Sequence, residues 1–552
     1  MSRLGKVAWL CAVLFALMSS GAAQDNPRRM LLIPLDDRPA AGHFAEMIAA
    51  MADVQLDRPP TDYMGRFTQP GMPEMILHWM ETEDLSQYEA VIVSTDMIAY
   101  GGLIASRTDR SSYNLAIKRL RRLWAIIKEN PDTRFLAFSA LMRLAPTATL
   151  ESLPYKNQLA RYAAIKAQYR ITAEPEDLKR LQRLKYHIPH EEIHRYEAVR
   201  DRNHRVQQEL VRMVAYGAFE YLIVGQDDAQ PMGPHLAETQ RLMEMTENLS
   251  IRDRVYFCEG IDQHSNVLVS RALLTDADWS PRVRIVFADE LGRQKTTYYE
   301  AQTVETSLRD QLYASGARPM DANGNFDYTL YVNTPYPRDE KFQQFVHNLQ
   351  TEIDQSFPVA VADINLGKTG TGDLRLFDAL IEQDRAVKLL SYAGWNTAGN
   401  TMGTAIPAAN VYLLARRLQV DALDREVARR KFLLHRLIND FEFHKYVRPE
   451  AYALLKRLPN ADKTETYGAS FQVLDQAVRE EMALRLQRRF EDQLAGSRFF
   501  AGPHEYELTG IRDIQVYLPW PRAYEVALDF QVEVSPVEAL PTGATTSIFP
   551  ED

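Results

Sequence analysis

The chain has 552 residues, 46% of them hydrophobic and 25% charged, the balance of an ordinary globular protein, and its length calls for two or three domains rather than one small core. Its 64 basic and 74 acidic residues leave a net charge of −10, which supplies no basic face in bulk and argues against a nucleic-acid partner. Arginine-rich stretches such as Lys118 to Arg122 alternate with leucine at helical spacing and read as the solvated sides of amphipathic helices.

In chain order, the first element is an export signal over 1–23. Arg3 and Lys6 give a positive start, Val7 to Met18 is apolar, and Ser19 to Ala23 supplies the small residues of a cleavage site after Ala23. The apolar run is too short for a membrane span, and no later stretch is long enough, so no stable membrane insertion is expected after cleavage. A bacterial periplasmic or extracellular location follows. Cys11 lies inside the signal, so Cys258 would be the one cysteine left, and the mature chain would form no internal disulfide.

From 24 to 404 one theme repeats: an apolar run ends in a polar cluster. Arg29 to Leu35 runs into Asp36-Asp37-Arg38-Pro39. Ala90 to Val93 is followed by Asp96 and Tyr100-Gly101-Gly102, and Arg134 to Phe138 by Arg143. Tyr221 to Val224 ends in Asp227-Asp228. Val255 to Phe257 leads to Glu259, Asp262 and His264, and Val283 to Phe287 to Asp289-Glu290. Thr329 to Val332 ends in Asn333, Val359 to Val361 in Asp363 and Asn365, and Val387 to Leu390 in Tyr392, Trp395 and Asn396. Helical patterns lie between most of these runs, so the fold class is α/β with a parallel sheet and right-handed crossovers. Nine candidate strands with polar ends suit a (β/α) barrel-like domain whose loops converge on one mouth. An open doubly wound sheet, or two such sheets, fits the same pattern. A charged helical insertion occupies 151–219. A helical region is expected over 405–500, a small β segment over 501–534, and a flexible tail over 535–552.

The chemistry sits at the strand ends. Adjacent carboxylates such as Asp227 and Asp228 hold one proton more tightly by mutual repulsion, which suits a general acid. Asp36 and Asp96 are the further catalytic candidates, because carboxylates packed at a strand end are costly unless they hold something. Asp37, Arg38, Tyr100, Arg143, Asp262, His264, Asp363, Asn365, Trp395, Asn396 and Asn400 are the substrate-binding candidates. Trp395 between glycine and two asparagines reads as a sugar platform, an aromatic face for the ring and amides for hydroxyls; the bland alternative is a buried indole with satisfied amides. Asp36 to Pro39 has its own bland reading as a turn, and Tyr100-Gly101-Gly102 as a turn that needs positive φ.

Several tempting motifs are set aside. His190-Glu191-Glu192-Ile193-His194 has the zinc-protease spacing, but Pro189 and the flanking charges make it an ordinary exposed helix start. Gly367 to Gly372 has its lysine out of order for a phosphate loop. There is no G-x-S-x-G elbow, and Cys258 reads as a small buried hydrophobe. No metal or organic cofactor is expected.

PLDDRP at 34–39, YGGLIASR at 100–107, the strand with its aspartate pair at 221–228, and YAGWNTAGNTMGT at 392–404 together resemble a bacterial family of exported proteins with a domain of unknown function. That resemblance implies no role for any residue. A second likeness rests on the strand and tandem aspartates alone, which is similar to the barrel hexosaminidases of the O-GlcNAcase and hyaluronidase-like type. It implies that Asp227 orients the substrate's 2-acetamido group and that Asp228 is the general acid, in a substrate-assisted reaction.

The expectation is therefore an exported carbohydrate-active hydrolase, a glycosidase acting on a carbohydrate or glycoconjugate. Two alternatives stand beside it: a metal-dependent phosphate or ester hydrolase using Asp36, Asp37, Asp227, Asp228 and His264, and a non-enzymatic protein that binds sugars or cell-wall fragments.

Overall fold

The computed structural model describes residues 28–537. The expected signal segment lies outside the described residues, as does all but the first part of the expected tail, where Ser535 and Pro536 close the last strand.

The apolar runs form strands in two all-parallel ladders. The first contains β1 (Arg28–Ile33), β2 (Val54–Asp57), β3 (Ala90–Ser94), β4 (Arg134–Leu141), β5 (Tyr221–Gln226) and β6 (Val255–Glu259), in the order β2-β1-β3-β4-β5-β6. The second contains β7 (Arg282–Phe287), β8 (Arg318–Pro319), β9 (Tyr328–Asn333), β10 (Val359–Asp363) and β11 (Ser391–Ala393), in the order β11-β10-β9-β7-β8. Closure of the strands into a ring is not shown: among the described residues no ladder joins the two sheets. A third, antiparallel sheet holds β12 (Arg498–Ala501), β13 (His504–Tyr517) and β14 (Ala527–Pro536).

The strands are apolar on both faces because both faces are covered. Met30 and Leu32 of β1 point into one core, Leu31 and Ile33 into another. The helices His43–Ala50, His264–Asp276, Val304–Ala314 and Ala398–Arg417 share one core with the facing sides of both sheets. Pro73–Thr82, Tyr113–Glu129, His190–Ala215 and Pro234–Asn248 cover the far face of the first sheet, and Asp339–Asp354 and Leu374–Ile381 that of the second. The layers thus run helix, sheet, helix, sheet, helix.

Three details differ from the pattern expected of the sequence. Val387 to Leu390 is not a strand: Arg385–Lys388 is helical and β11 starts at Ser391. The Arg429 guanidinium donates to the carbonyls of Val387 and Leu389, so a side chain takes acceptors that a ladder would need. The long helix His190–Ala215 belongs to the charged stretch 151–219, yet Val206, Leu210 and Val214 pack on the first sheet, so it serves as the crossover from β4 to β5. The boundary expected at 405 falls inside the helix Ala398–Arg417, a central element of the shared layer.

Neighbouring strands whose following helices leave on opposite faces open a crevice at their carboxyl ends. β1 leads to the shared layer and β3 to the outer one; β11 leads to the shared layer and β10 to the outer one. PLDDRP and TDMIAYGG flank the first crevice. The Asp363-to-Asn365 and Trp395-to-Asn400 stretches flank the second.

Candidate functional site

At the first crevice the chain leaves β1 through Asp36, which is 4% exposed. Its carboxylate takes two hydrogen bonds from the Arg38 guanidinium, Nε to Oδ1 at 2.9 Å and Nη2 to Oδ2 at 2.7 Å. The same Nη2 donates to Asp262 Oδ1 at 2.8 Å, tying the loop after β6 to the loop after β1. Burial raises the Asp36 pKa against the pull of Arg38. Asp37 accepts from the Trp520 indole N–H at 2.6 Å and is pushed up to about 6 by burial. Trp520 comes from the connection between β13 and β14, and its ring lies 4.8 Å from the Arg38 guanidinium carbon.

Asp96, in the short helix Thr95–Tyr100 after β3, is 1% exposed and accepts the Ala140 N–H at 2.8 Å. Burial, with the nearby Asp227 charge, pushes it up to about 7. Tyr100 is buried beneath the Arg202 guanidinium, 4.4 Å from its ring centroid. Gly101 and Gly102 take φ of 94° and 114°, so the turn does need glycine.

Asp227 and Asp228 follow β5 directly. Asp227 is buried; its Oδ2 accepts from Arg107 and its Oδ1 from the Asp228 N–H at 2.9 Å. Arg143, just past β4, donates to Asp228 Oδ2. The two carboxyls are driven apart. Burial would raise Asp227, but Arg107 and Arg143 outweigh it and hold the group below the usual carboxylate range. Asp228, whose side chain is 28% exposed, is raised by desolvation and by the Asp227 charge, with Arg143 pulling the other way.

Below this pair the two sheets meet. Glu259, at the end of β6, accepts the N–H groups of Ala301 and Gln302 through Oε1, while Oε2 is buried with no hydrogen-bond partner among the described residues. Glu300, on the loop after β7, is 1% exposed and accepts the Gly399 N–H. Burial and the Glu300 charge push Glu259 well up; burial pushes Glu300 up to about 7. Gln263 and Asn400 join across the same junction, Asn400 Nδ2 donating to Gln263 Oε1 at 2.6 Å.

The second crevice is a separate cluster. Asp363 is fully buried and accepts from Asn333 Nδ2 at 2.8 Å and from the Asp373 N–H at 2.6 Å; burial pushes it up to about 7. Asn365 Oδ1 accepts the Tyr336 N–H at 3.0 Å, and its Nδ2 donates to Asp373. Trp395 is 6% exposed, stacks edge-on against Phe44, and donates its indole N–H to Thr404 at 3.3 Å. It offers no open sugar platform; the buried indole is the reading that holds, because the shared helix layer covers it. Asn396 Nδ2 donates to Asn400 Oδ1 at 2.7 Å.

His264 is fully buried in its helix, donates from Nε2 to Gly260 O at 3.1 Å, and is pulled down to about 3 by burial, so it stays neutral and inside. Asp36, Asp37, Asp227, Asp228 and His264 thus each turn to a different protein partner. Among the described residues no group of three or more His, Cys, Asp or Glu is arranged to hold a metal ion. His190 and His194 face each other at 3.3 Å on an exposed helix start. Cys258 is buried and its thiol pKa well raised, as for a small core residue.

The strand-end rule therefore gathers Asp36, Arg38, Asp96, Arg143, Asp227, Asp228 and Asp262 within electrostatic reach of one another, Asp262 acting on Arg143 and Asp228 and Asp227 on Asp96, and places Asp363 and Asn365 in another cluster. It misses Arg107, Glu300 and Trp520. Arg107 closes the YGGLIASR stretch, so its proximity to that motif was a usable signal. Glu300 and Trp520 sit on loops far along the chain with no pattern of their own.

Comparison with curated proteins returns no match. A family model does match, over residues 30–529, which takes in both parallel sheets and the C-terminal sheet up to β14. The chain belongs to the family described as protein of unknown function DUF4127.

Proposed function

We propose that this protein is an exported carbohydrate-active hydrolase, a glycosidase whose general acid is Asp228 and whose ionised partner is Asp227. The observation that carries the reading is the unequal setting of two adjacent carboxyls at one strand end, Asp227 buried against Arg107 and Asp228 partly exposed against Arg143, which moves their pKa values in opposite directions. One is kept charged by Arg107 and Arg143; the other, partly exposed, favours its proton. Glycosidic cleavage needs that division: a carboxylic acid to protonate the leaving oxygen and a carboxylate to stabilise developing positive charge. Asp228 is also the more accessible of the two, as a group that meets substrate must be.

The likeness to tandem-aspartate hexosaminidases fits the same division. There Asp227 would polarise a 2-acetamido group and let the substrate supply its own nucleophile. In this reading Arg38, Asp262 and Arg143, on the loops after β1, β6 and β4, would bind the substrate's hydroxyls. The reading needs only that the carboxyl ends of β1, β3, β5 and β6 converge, and not the barrel expected from the strand count.

The test is hydrolysis of phenyl and alkyl glycosides, whose poor leaving groups need a proton, 2-acetamido sugars included. Asp228→Asn should lower kcat by about 10²–10⁴ on whichever glycoside the native enzyme cleaves, with the fold retained. The native rate should fall on the alkaline side as Asp228 loses its proton. Full turnover by Asp228→Asn would sink the assignment. Binding without turnover by the native protein would leave a sugar-binding protein instead.

A further inference from the structure

A cleft of about 380 Å³ opens at the carboxyl edge of the second sheet. Lys295, Tyr298, Tyr336, Asn396 and Thr397 line it. Three tyrosines stand open there or beside it: Tyr298 is 40%, Tyr299 46% and Tyr336 61% exposed. Exposed aromatic rings beside a cleft are suited to the apolar face of a pyranose, with phenol, amide and ammonium groups around them for its hydroxyls; Lys295 Nζ stands 5.8 Å from the Tyr336 ring centroid and leaves the other side of that ring for the sugar. Tyr336 OH meets Tyr298 OH at 3.3 Å, and Lys295 Nζ donates to Pro335 O at 3.2 Å, so the rim is held in place before any ligand arrives.

The backbone supports the same region. Tyr299, Tyr336 and Asn396 have φ of 68°, 52° and 56°, a left-handed conformation that strains a non-glycine residue and gathers at functional places. Asn365 holds the Tyr336 N–H, and Gly370 O accepts the Asn396 N–H at 3.1 Å, which fixes both residues in it.

A loop links this cleft to the acid pair. The loop between Thr296 and Thr303 is closed by a bridge between those residues. It puts Tyr298 on the cleft, Tyr299 within electrostatic reach of Asp228 and Arg143, and Glu300 under Gly399. The Tyr299 carbonyl also accepts the Ala229 N–H at 2.8 Å, directly after the pair. One short loop therefore touches both places.

We propose that the cleft is a glycan subsite that holds a sugar unit beyond the bond cleaved at Asp228, so that the substrate is an oligosaccharide or polysaccharide of hexopyranose units. This rests on the catalytic reading of Asp228, but its test does not. Binding is measured by calorimetry on the Asp228→Asn protein, which leaves the chains intact. The probes are the β-1,4-linked tetramers of glucose and of N-acetylglucosamine, each against its monomer. At least one tetramer should bind about 10-fold or more tightly than its monomer. Tyr336→Ala should remove most of that gain and leave the monomer unchanged, and Tyr336→Phe, which keeps the ring, should retain it. The proposal is overturned if neither tetramer outbinds its monomer, or if Tyr336→Ala weakens monomer and tetramer equally. A chain-length gain without cleavage by the native protein would keep the cleft and remove the acid role of Asp228. Cleavage of aryl glycosides that Asp228→Asn abolishes, without a chain-length gain, would remove the cleft alone.

Discussion

Asp96 illustrates what a buried carboxyl does to this molecule. It is 1% exposed, has one hydrogen bond from Ala140, and is pushed up to about 7 by burial. In the unfolded chain the same group titrates near 3.9. Between those values the native state binds more protons than the unfolded state, so stability is fully present below about pH 4 and is lost as pH rises through about 7. Asp96→Asn keeps an acceptor for the Ala140 N–H and removes the titration. Its stability should gain on the native protein by roughly 1–3 kcal/mol between pH 5 and pH 8, read from urea denaturation at both values. Glu300 and Asp363, both pushed up to about 7, should leave the variant a shallower slope, not a flat one. An unchanged slope would mean that Asp96 is ionised throughout. The pair after β5 obeys the same physics with a different outcome, since two guanidiniums reverse the effect of burial at Asp227. The aspartates were readable in the sequence because each follows an apolar run directly. The sign of each shift was not, because it depends on Arg107 and Arg143 reaching across from other strands.

Among the elements, the helix Ala398–Arg417 has the most demanding place, between two sheets and buried on nearly every side. Its first two turns, Ala-Gly-Asn-Thr-Met-Gly-Thr, hold two glycines, and at Gly399 backbone approaches backbone. A Cβ on Gly399 would lie 2.4 Å from the Glu259 carbonyl oxygen and 2.7 Å from its carbon, both main chain at the end of β6. Gly399→Ala should push the helix from the strand, with a cost of about 1–3 kcal/mol and a lower Tm. It should also disturb the Gly399 N–H that holds Glu300. At Gly403 the nearest atom is Gln263 Cγ at 2.3 Å, on a fully buried side chain that Asn400 and Glu259 O hold in place, so Gly403→Ala should cost a similar amount. Thermal melts of the two variants check this, and an unchanged Tm in Gly399→Ala would refute the close-approach argument. The same packing explains why Trp395 was misjudged: a tryptophan flanked by glycine and asparagine reads as a surface platform until the helix that covers it is placed. Strand identity was readable from apolar runs because these sheets are covered on both faces. How the strands divide into two sheets was not, since nothing in the runs of β6 and β7 says that no ladder joins them.

For the molecule as a whole, the C-terminal sheet is more than an appendage. The connection from β13 to β14 reaches back to the first loop of the chain, where Trp520 donates to Asp37 and Pro519 O accepts from Arg66 Nε at 2.8 Å. These contacts bridge 483 and 453 residues and carry a large loop-closure entropy, so they form only when the first sheet and the C-terminal unit are both in place. Unfolding of the C-terminal unit should therefore expose the Asp36–Arg38 corner of the site. Trp520→Phe keeps most of the apolar ring against Phe67 and removes the indole N–H. Asp37, already raised to about 6, then loses the donor that favours its charged form, and its pKa rises further. The raised pKa again means stability that declines as pH rises through about 6 in the native protein, and more steeply in the variant. The cost of Trp520→Phe should be about 1–2 kcal/mol at pH 8, where the buried carboxylate is left unpaired. It should shrink towards pH 5, where Asp37 is protonated in both proteins. Denaturant titrations at the two pH values measure this directly. A cost independent of pH would show that Trp520 acts through packing alone, and that the carboxylate at Asp37 is not what joins the C-terminal sheet to the mouth of the first.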